Sequence, residues 1–114
     1  MGSGTTLVEA KLLGRNAVGI DINPQSVSIS ETNLQFHCDT SSKIYIREGN
    51  AAELHFIKDA YIDFICTHPP YADIIKYSEG IEGDISMLGV KSFIDAMDKV
   101  AYEAYRVLKK GKMC

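Results

Sequence analysis

Tyr61-Ile62-Asp63-Phe64-Ile65-Cys66, running into Thr67-His68-Pro69-Pro70-Tyr71, is the stretch that decides how this chain is read. Its first six residues are β-branched, aromatic or apolar apart from Asp63, over the length of one strand. Pro69 and Pro70 end that strand, because neither has an N–H to give to a ladder. Each proline also pushes the residue before it, His68 and Pro69, towards extended geometry. A stiff loop at the carboxyl end of a strand is where an open α/β sheet places its ligands. His68 brings a ring nitrogen, Pro69 a carbonyl and Tyr71 an aromatic face. That set can hydrogen-bond an amino group and stack the flat ring that carries it. Read alone, the same residues also make a plain Pro-Pro turn.

Outward from this loop, the pattern alternates between helix and strand. Leu7 to Arg15 reads as a helix with Val8, Leu12 and Leu13 on its buried side and Gly14 as its stop. Asn16 to Ile22 holds a short apolar strand, Ala17-Val18-Gly19-Ile20, that ends in Asp21. Asn23 can cap the next helix and Pro24 suits its first position. That helix reaches about Phe36, with Val27, Ser30 and Leu34 on one face and Ile29, Asn33 and Phe36 beside it. The turn Asp39-Thr40-Ser41-Ser42 leads to a strand over Lys43 to Arg47 and a loop from Glu48 to Leu54. After the Pro-Pro loop comes a polar, glycine-bearing segment, Tyr77 to Gly89. The last helix is the clearest: Phe93, Ile94, Met97, Val100, Ala101, Ala104, Val107 and Leu108 follow helical spacing. Lys109, Lys110 and Lys112 suit its C-terminal dipole end and Gly111 its stop.

Loop–helix–strand–helix–strand–strand–helix is the order of a doubly wound α/β sheet. Two features make that sheet incomplete. The glycine loop Met1-Gly2-Ser3-Gly4-Thr5-Thr6 has no strand feeding it, and Lys112-Met113-Cys114 reads as the lead into a further strand. The expectation is one partial domain over residues 1–114, an internal piece of a longer protein, lacking its first strand and its C-terminal strands.

Composition sets the outer limits. With 114 residues, 46% hydrophobic and 24% charged, the chain is an ordinary globular domain in size and make-up. No apolar run approaches a membrane span, and no basic-then-apolar signal opens the chain. A net charge of -3 excludes a basic nucleic-acid clamp, so any such grip comes from a local patch or another domain. Cys38, Cys66 and Cys114 show no paired spacing, which fits a reducing cytoplasm. His37, Cys38, His55 and His68 are too scattered for a zinc site, so no metal is expected.

Three further features lie at strand ends. Gly2-Ser3-Gly4 leaves room for close backbone approach, and Thr5 and Thr6 put hydroxyls at a helix N-terminus that favours an anion. No lysine follows the last glycine, so this is not a phosphate-binding P-loop, and Leu7 stands where a dinucleotide fingerprint has its third glycine. Asp21 stands about far enough on to meet ribose hydroxyls, though a turn carboxylate is its plainer role. Asn50, followed by Ala51, can meet the polar edge of an adenine ring or make an Asx turn.

In this order the four features resemble the S-adenosylmethionine-dependent DNA amino-methyltransferases, the adenine-N6 and cytosine-N4 enzymes. Met1–Thr6 looks like their cofactor loop, Val18-Gly19-Ile20-Asp21 like their ribose-binding strand end, and Gly49-Asn50-Ala51 like their adenine-side loop. His68-Pro69-Pro70-Tyr71 is similar to their catalytic motif, which usually reads Asp, Asn or Ser before Pro-Pro and an aromatic. Two positions depart from the pattern: His68 replaces that polar residue, and Asn50 stands where an acid is common. The resemblance implies a Rossmann-like methyltransferase sheet, S-adenosylmethionine as cofactor and DNA as substrate. It further implies a restriction–modification setting in the cytoplasm and a base-recognition domain outside this chain. Catalytic roles fall to His68, Pro69, Pro70 and Tyr71, and cofactor binding to Gly2, Ser3, Gly4, Thr5, Thr6, Asp21, Asn50 and Ala51.

The chemistry follows from the groups themselves. An exocyclic base amine is a poor nucleophile because its lone pair is delocalised into the ring. Two acceptors, the His68 nitrogen and the Pro69 carbonyl, can hold its two N–H groups and favour a localised lone pair. Tyr71 would stack a base taken out of its helix or from a single strand. Carbon methylation of cytosine needs a cysteine in this loop, and Tyr71 follows the prolines instead; Cys66 is expected to be a small buried residue. Lys76 and Tyr77 are candidates for a phosphate contact or a solvated loop. Two other readings stay open. Similar Pro-Pro-aromatic loops serve RNA guanine-N2 methyltransferases, and a degenerate motif would leave a non-catalytic binding module.

Overall fold

The computed structural model describes residues 1–70, 81–82 and 84–114, which form two compact units, Met1–Gly49 and Asn50–Cys114.

The first unit is α1 (Thr5–Leu12), β1 (Ala17–Asp21), α2 (Pro24–Asn33) and β2 (Ile44–Glu48). β1 and β2 pair in parallel, with Ala17 opposite Ile44 and Asp21 opposite Glu48. A parallel pair needs a crossover, and α2 supplies it. The start of α2 is set locally: the Asn23 Oδ1 accepts from the Gln25 N–H at 2.9 Å, and Pro24 takes the first turn. The end of α1 is equally local. Gly14, at φ 67°, closes it with Gly14 N–H to Lys11 O at 3.1 Å and Arg15 N–H to Ala10 O at 2.8 Å. These two bonds are the paired bonds of a Schellman stop.

Two details differ from the sequence reading. α2 ends at Asn33 rather than near Phe36. Beyond that end, Lys11 Nζ donates to Leu34 O at 2.7 Å and Phe36 O at 2.8 Å, satisfying carbonyls that no helical turn takes up. On α1 the buried residue is Leu7, 5% exposed, while Leu12 and Leu13 are 50% and 71% exposed. Leu7 packs on Gly19 of β1, where any Cβ would lie 2.5 Å from the leucine Cδ1. The missing side chain on β1 is what lets this helix approach.

The second unit holds β3 (Ile62–Phe64), a 3₁₀ turn (Ile85–Met87), α3 (Val90–Val107) and β4 (Leu108–Met113). β3 and β4 pair in parallel, Ile62 opposite Leu108 and Phe64 opposite Met113, with a register shift between. Here the lysines correct the sequence reading. α3 stops at Val107, and Lys109, Lys110 and Lys112 belong to β4 instead of the helix end. Gly111 is a left-handed residue (φ 76°) inside that strand rather than a helix stop. The Lys109 Nζ sits 3.0 Å from both carboxylate oxygens of Asp63, which holds that carboxyl below its ordinary range. This cross-strand pair ties β4 to β3. A formed strand therefore stands where the sequence showed only the lead into one.

α3 is fixed by charge as much as by its apolar stripe. Glu103, 7% exposed, accepts from the Leu54 N–H at 2.7 Å and from Arg106 Nε and Nη2 at 2.8 Å each. Arg106 also donates to Leu54 O at 2.9 Å, Ile57 O at 3.0 Å and Asp59 Oδ1 at 2.6 Å. All five guanidinium N–H groups are thereby used. The pair pins the loop from Leu54 to Asp59 over α3, and the buried apolar residues of this unit, Leu54, Ile57 and Val107, lie around it.

Each unit thus holds a two-stranded parallel sheet with helices, a small α/β arrangement compatible with part of a methyltransferase fold. A ladder extends only where a neighbour offers matching N–H and C=O groups, and neither pair includes a third strand.

Candidate functional site

In the first unit, folding brings the glycine loop to the end of β1. Gly2 (φ 59°) and Gly4 (φ 78°) hold left-handed backbone that glycine adopts without strain. The Gly4 N–H donates to Met1 O at 3.2 Å, closing the turn, and Gly4 carries the first helical bonds to Leu7 and Val8. Asp21 reaches this turn from the strand. Its Oδ2 accepts from the Met1 ammonium at 2.6 Å and from the Gly2 N–H at 3.3 Å, while Oδ1 accepts from Asn23 N–H at 2.9 Å. Burial disfavours the ionised Asp21 carboxyl, while the Asn23 and Gly2 N–H groups that donate to it favour that form. Asp21 is therefore an ionised acceptor beside the loop. Ser3 and Thr5 share a hydroxyl contact at 3.2 Å, and both, like Thr6, are exposed at the start of α1.

Two residues without a role in the sequence reading also touch this loop. Ser30 Oγ donates to Gly2 O at 3.2 Å, and Asn33 Nδ2 donates to Ser3 O at 2.9 Å. The available signal was weak: two small polar residues, three apart, inside a helix where both are poor formers.

In the second unit, Asn50 makes an Asx turn, its Oδ1 accepting from the Ala52 N–H at 2.9 Å. Its side-chain oxygen thus serves the local turn. Ala51 is exposed. A shallow, open depression lies beside this loop, lined by Ala52, Asp98, Lys99, Tyr102 and Glu103. His68 and Pro69 are exposed and Pro70 is half-buried, after a strand shorter than expected at Ile62–Phe64. Cys66 is exposed too, which corrects its expected burial: it lies past the end of β3. Tyr71, Lys76 and Tyr77 lie outside the described residues. Among the described residues, no group of three metal-ligating side chains comes together, and no helix is long and apolar enough to cross a membrane.

Comparison with known proteins gives three results. The sequence model of the DNA methylase family, N6_N4_Mtase, matches residues 1–32. The chain is 29% identical, over 113 residues, to the "Probable tRNA (guanine(10)-N2)-dimethyltransferase" of Methanothermococcus thermolithotrophicus, covering 96% of this chain and 67% of that protein. It is 54% identical over 35 residues to the "Type II methyltransferase M.MjaII" of Methanocaldococcus jannaschii, covering 31% of this chain and 7% of that protein. No solved structure matches. The chain is thus similar to nucleic-acid methyltransferases, and its residues 1–32 match the model of the DNA methylase family.

Proposed function

We propose that this chain carries the S-adenosylmethionine loop and the amine-gripping loop of a methyltransferase acting on an exocyclic base amine, adenine N6 or cytosine N4 of DNA. The observation that carries the reading is the meeting of Asp21 with the glycine loop, its Oδ2 3.3 Å from the Gly2 N–H. The residues fit the cofactor. Gly2 has open space where a Cβ would stand, so a ligand can approach its backbone. Asp21 is an ionised acceptor suited to ribose hydroxyls, and Ser3, Thr5 and Thr6 stand at the first turn of α1, where a carboxylate is favoured. Asn50, with Ala51, would meet the adenine edge through its amide nitrogen, since its oxygen serves the turn.

When bound, S-adenosylmethionine supplies a methyl group activated by its sulfonium. The chain's own work is to hold the acceptor. A His68 ring nitrogen and the Pro69 carbonyl accept from the two amine N–H groups, and Pro70 stiffens the loop. Tyr71 is assigned the stacking face on the sequence pattern. The departing proton passes to water.

The tRNA guanine-N2 reading has its own support, because the relative so named aligns with 96% of this chain. Transfer of isotope-labelled methyl groups from S-adenosylmethionine by the full-length protein decides between them. Label on DNA supports the DNA reading. Label on RNA alone replaces it with the RNA reading. Label on neither leaves a non-catalytic module. A restriction–modification role belongs to the DNA outcome.

A further inference from the structure

We infer that Ser30 and Asn33 are positioning residues that set the cofactor loop in its binding shape before the cofactor arrives; this rests on the reading of Gly2-Ser3-Gly4 as that loop. Two successive carbonyls, those of Gly2 and Ser3, each receive a hydrogen bond from a side chain about thirty residues further along. The donors are three apart in α2 (Pro24–Asn33), so they stand on one face of it. They play different parts. Ser30 is fully buried, and its Oγ, Cβ and Cα would lie 2.7, 2.8 and 3.1 Å from a Cβ on Gly4, so serine fills the space beneath the loop. Asn33 is exposed and closes on the loop from its rim.

The consequence for binding comes from peptide geometry. The C=O and N–H of one trans peptide point in opposite directions. Holding the Gly2 carbonyl on Ser30 therefore turns the Ser3 N–H away from α2, and α2 supports the loop from beneath. Gly2 and Gly4 would otherwise cost the most conformational entropy of any residues to order. Two side-chain bonds supplied by α2 place that cost on folding rather than on ligand capture.

The test uses the full-length protein with Ser30→Ala, Asn33→Leu and the double variant. Each single change removes one neutral hydrogen bond, so the KM and Kd for S-adenosylmethionine should rise about 3–10-fold and the double variant by about 10–50-fold. kcat at saturating cofactor and KM for the nucleic acid should stay within about twofold, since the role assigned to both residues is confined to the cofactor loop. A purely structural role would instead lower the melting temperature and spread the loss over every kinetic constant. Unchanged cofactor constants, or losses spread in that way, overturn the inference. A wild-type protein that binds no S-adenosylmethionine overturns the functional reading and this inference together; normal wild-type binding with wild-type-like variants overturns this inference alone.

Discussion

Ser30 lies so close beneath Gly4 that a Cβ on the glycine would stand 2.7 Å from the serine Oγ. Gly2, two residues earlier, has the same left-handed backbone but nothing within 4 Å of the equivalent point. Alanine at either position meets backbone strain of about 1–2 kcal/mol. Only at Gly4 does it also meet a buried neighbour. Gly4→Ala should therefore destabilise the full-length protein more than Gly2→Ala, by about 1–3 kcal/mol further. Urea unfolding of the two variants measures the difference, and equal midpoints would show that α2 yields to the added methyl.

Asp21 offers the loop a charged acceptor. A charge-assisted contact to ribose hydroxyls is worth about 1.5–3 kcal/mol, so Asp21→Ala should weaken S-adenosylmethionine binding by about 10–150-fold. Titration calorimetry on the full-length protein reads this directly. Unaltered affinity in a folded variant removes Asp21 from the site.

The acceptor role proposed for His68 is tested by rates against pH. An imidazole accepts a hydrogen bond only while one ring nitrogen is bare; protonated, both nitrogens donate and clash with a donating amine. Single-turnover rates should therefore fall on acidification. His68→Asn keeps an acceptor and should lose this acid limb, while His68→Ala should be slower by about 10²–10³-fold. An acid limb that persists unchanged in the asparagine variant assigns the acceptor role to Pro69 alone.

Glu103 links acid stability to the loop over α3. The hydrogen bonds from Arg106 lower its carboxyl to about 2 from 4.5, against the opposing effect of burial; the Leu54 amide adds to the lowering. A depressed folded value means that its stabilising effect is fully present above pH 4.5 and is lost as pH falls from there towards 2. Wild-type stability should drop more steeply below pH 4.5 than that of Glu103→Gln. At neutral pH, Glu103→Ala should lower the melting temperature by roughly 5–15 °C, because Arg106 and the Leu54 amide lose their shared acceptor. Parallel pH slopes in the two proteins would place the acid sensitivity elsewhere.

Residues 1–114 by themselves leave much apolar surface open. Leu13, Tyr45, Phe64 and Tyr105 are 71%, 62%, 62% and 84% exposed, and among the described residues neither two-stranded sheet has a third strand. A chain of these 114 residues should self-associate. Sedimentation at several concentrations checks this. A monomer with a cooperative thermal transition would contradict it.

Much of the fold was legible because its rules act over a few residues. Asn23 and Pro24 start α2, Gly14 stops α1, Ala17–Ile20 make a strand, and Pro69-Pro70 follows one, all from neighbours in the chain. The glycine loop and Asp21 were each legible as features at element ends, but their meeting, 19 residues apart, belongs to the tertiary structure. Other outcomes depended on partners far along the chain. Leu7 is buried, rather than Leu12 or Leu13, because Gly19 leaves it a hollow. Glu103 is buried within a helical stripe that read as apolar because Arg106 and the Leu54 amide meet it there. The lysines after Val107 joined a strand that pairs with β3, with Asp63 across from Lys109. Ser30 and Asn33 gained their contacts only when α2 folded back under Gly2 and Ser3. Local sequence determined where elements begin and end, since caps and turns are satisfied within a few residues. Tertiary structure alone decided which polar groups are buried, since a buried charge or amide is tolerated only where a distant partner completes its hydrogen bonds.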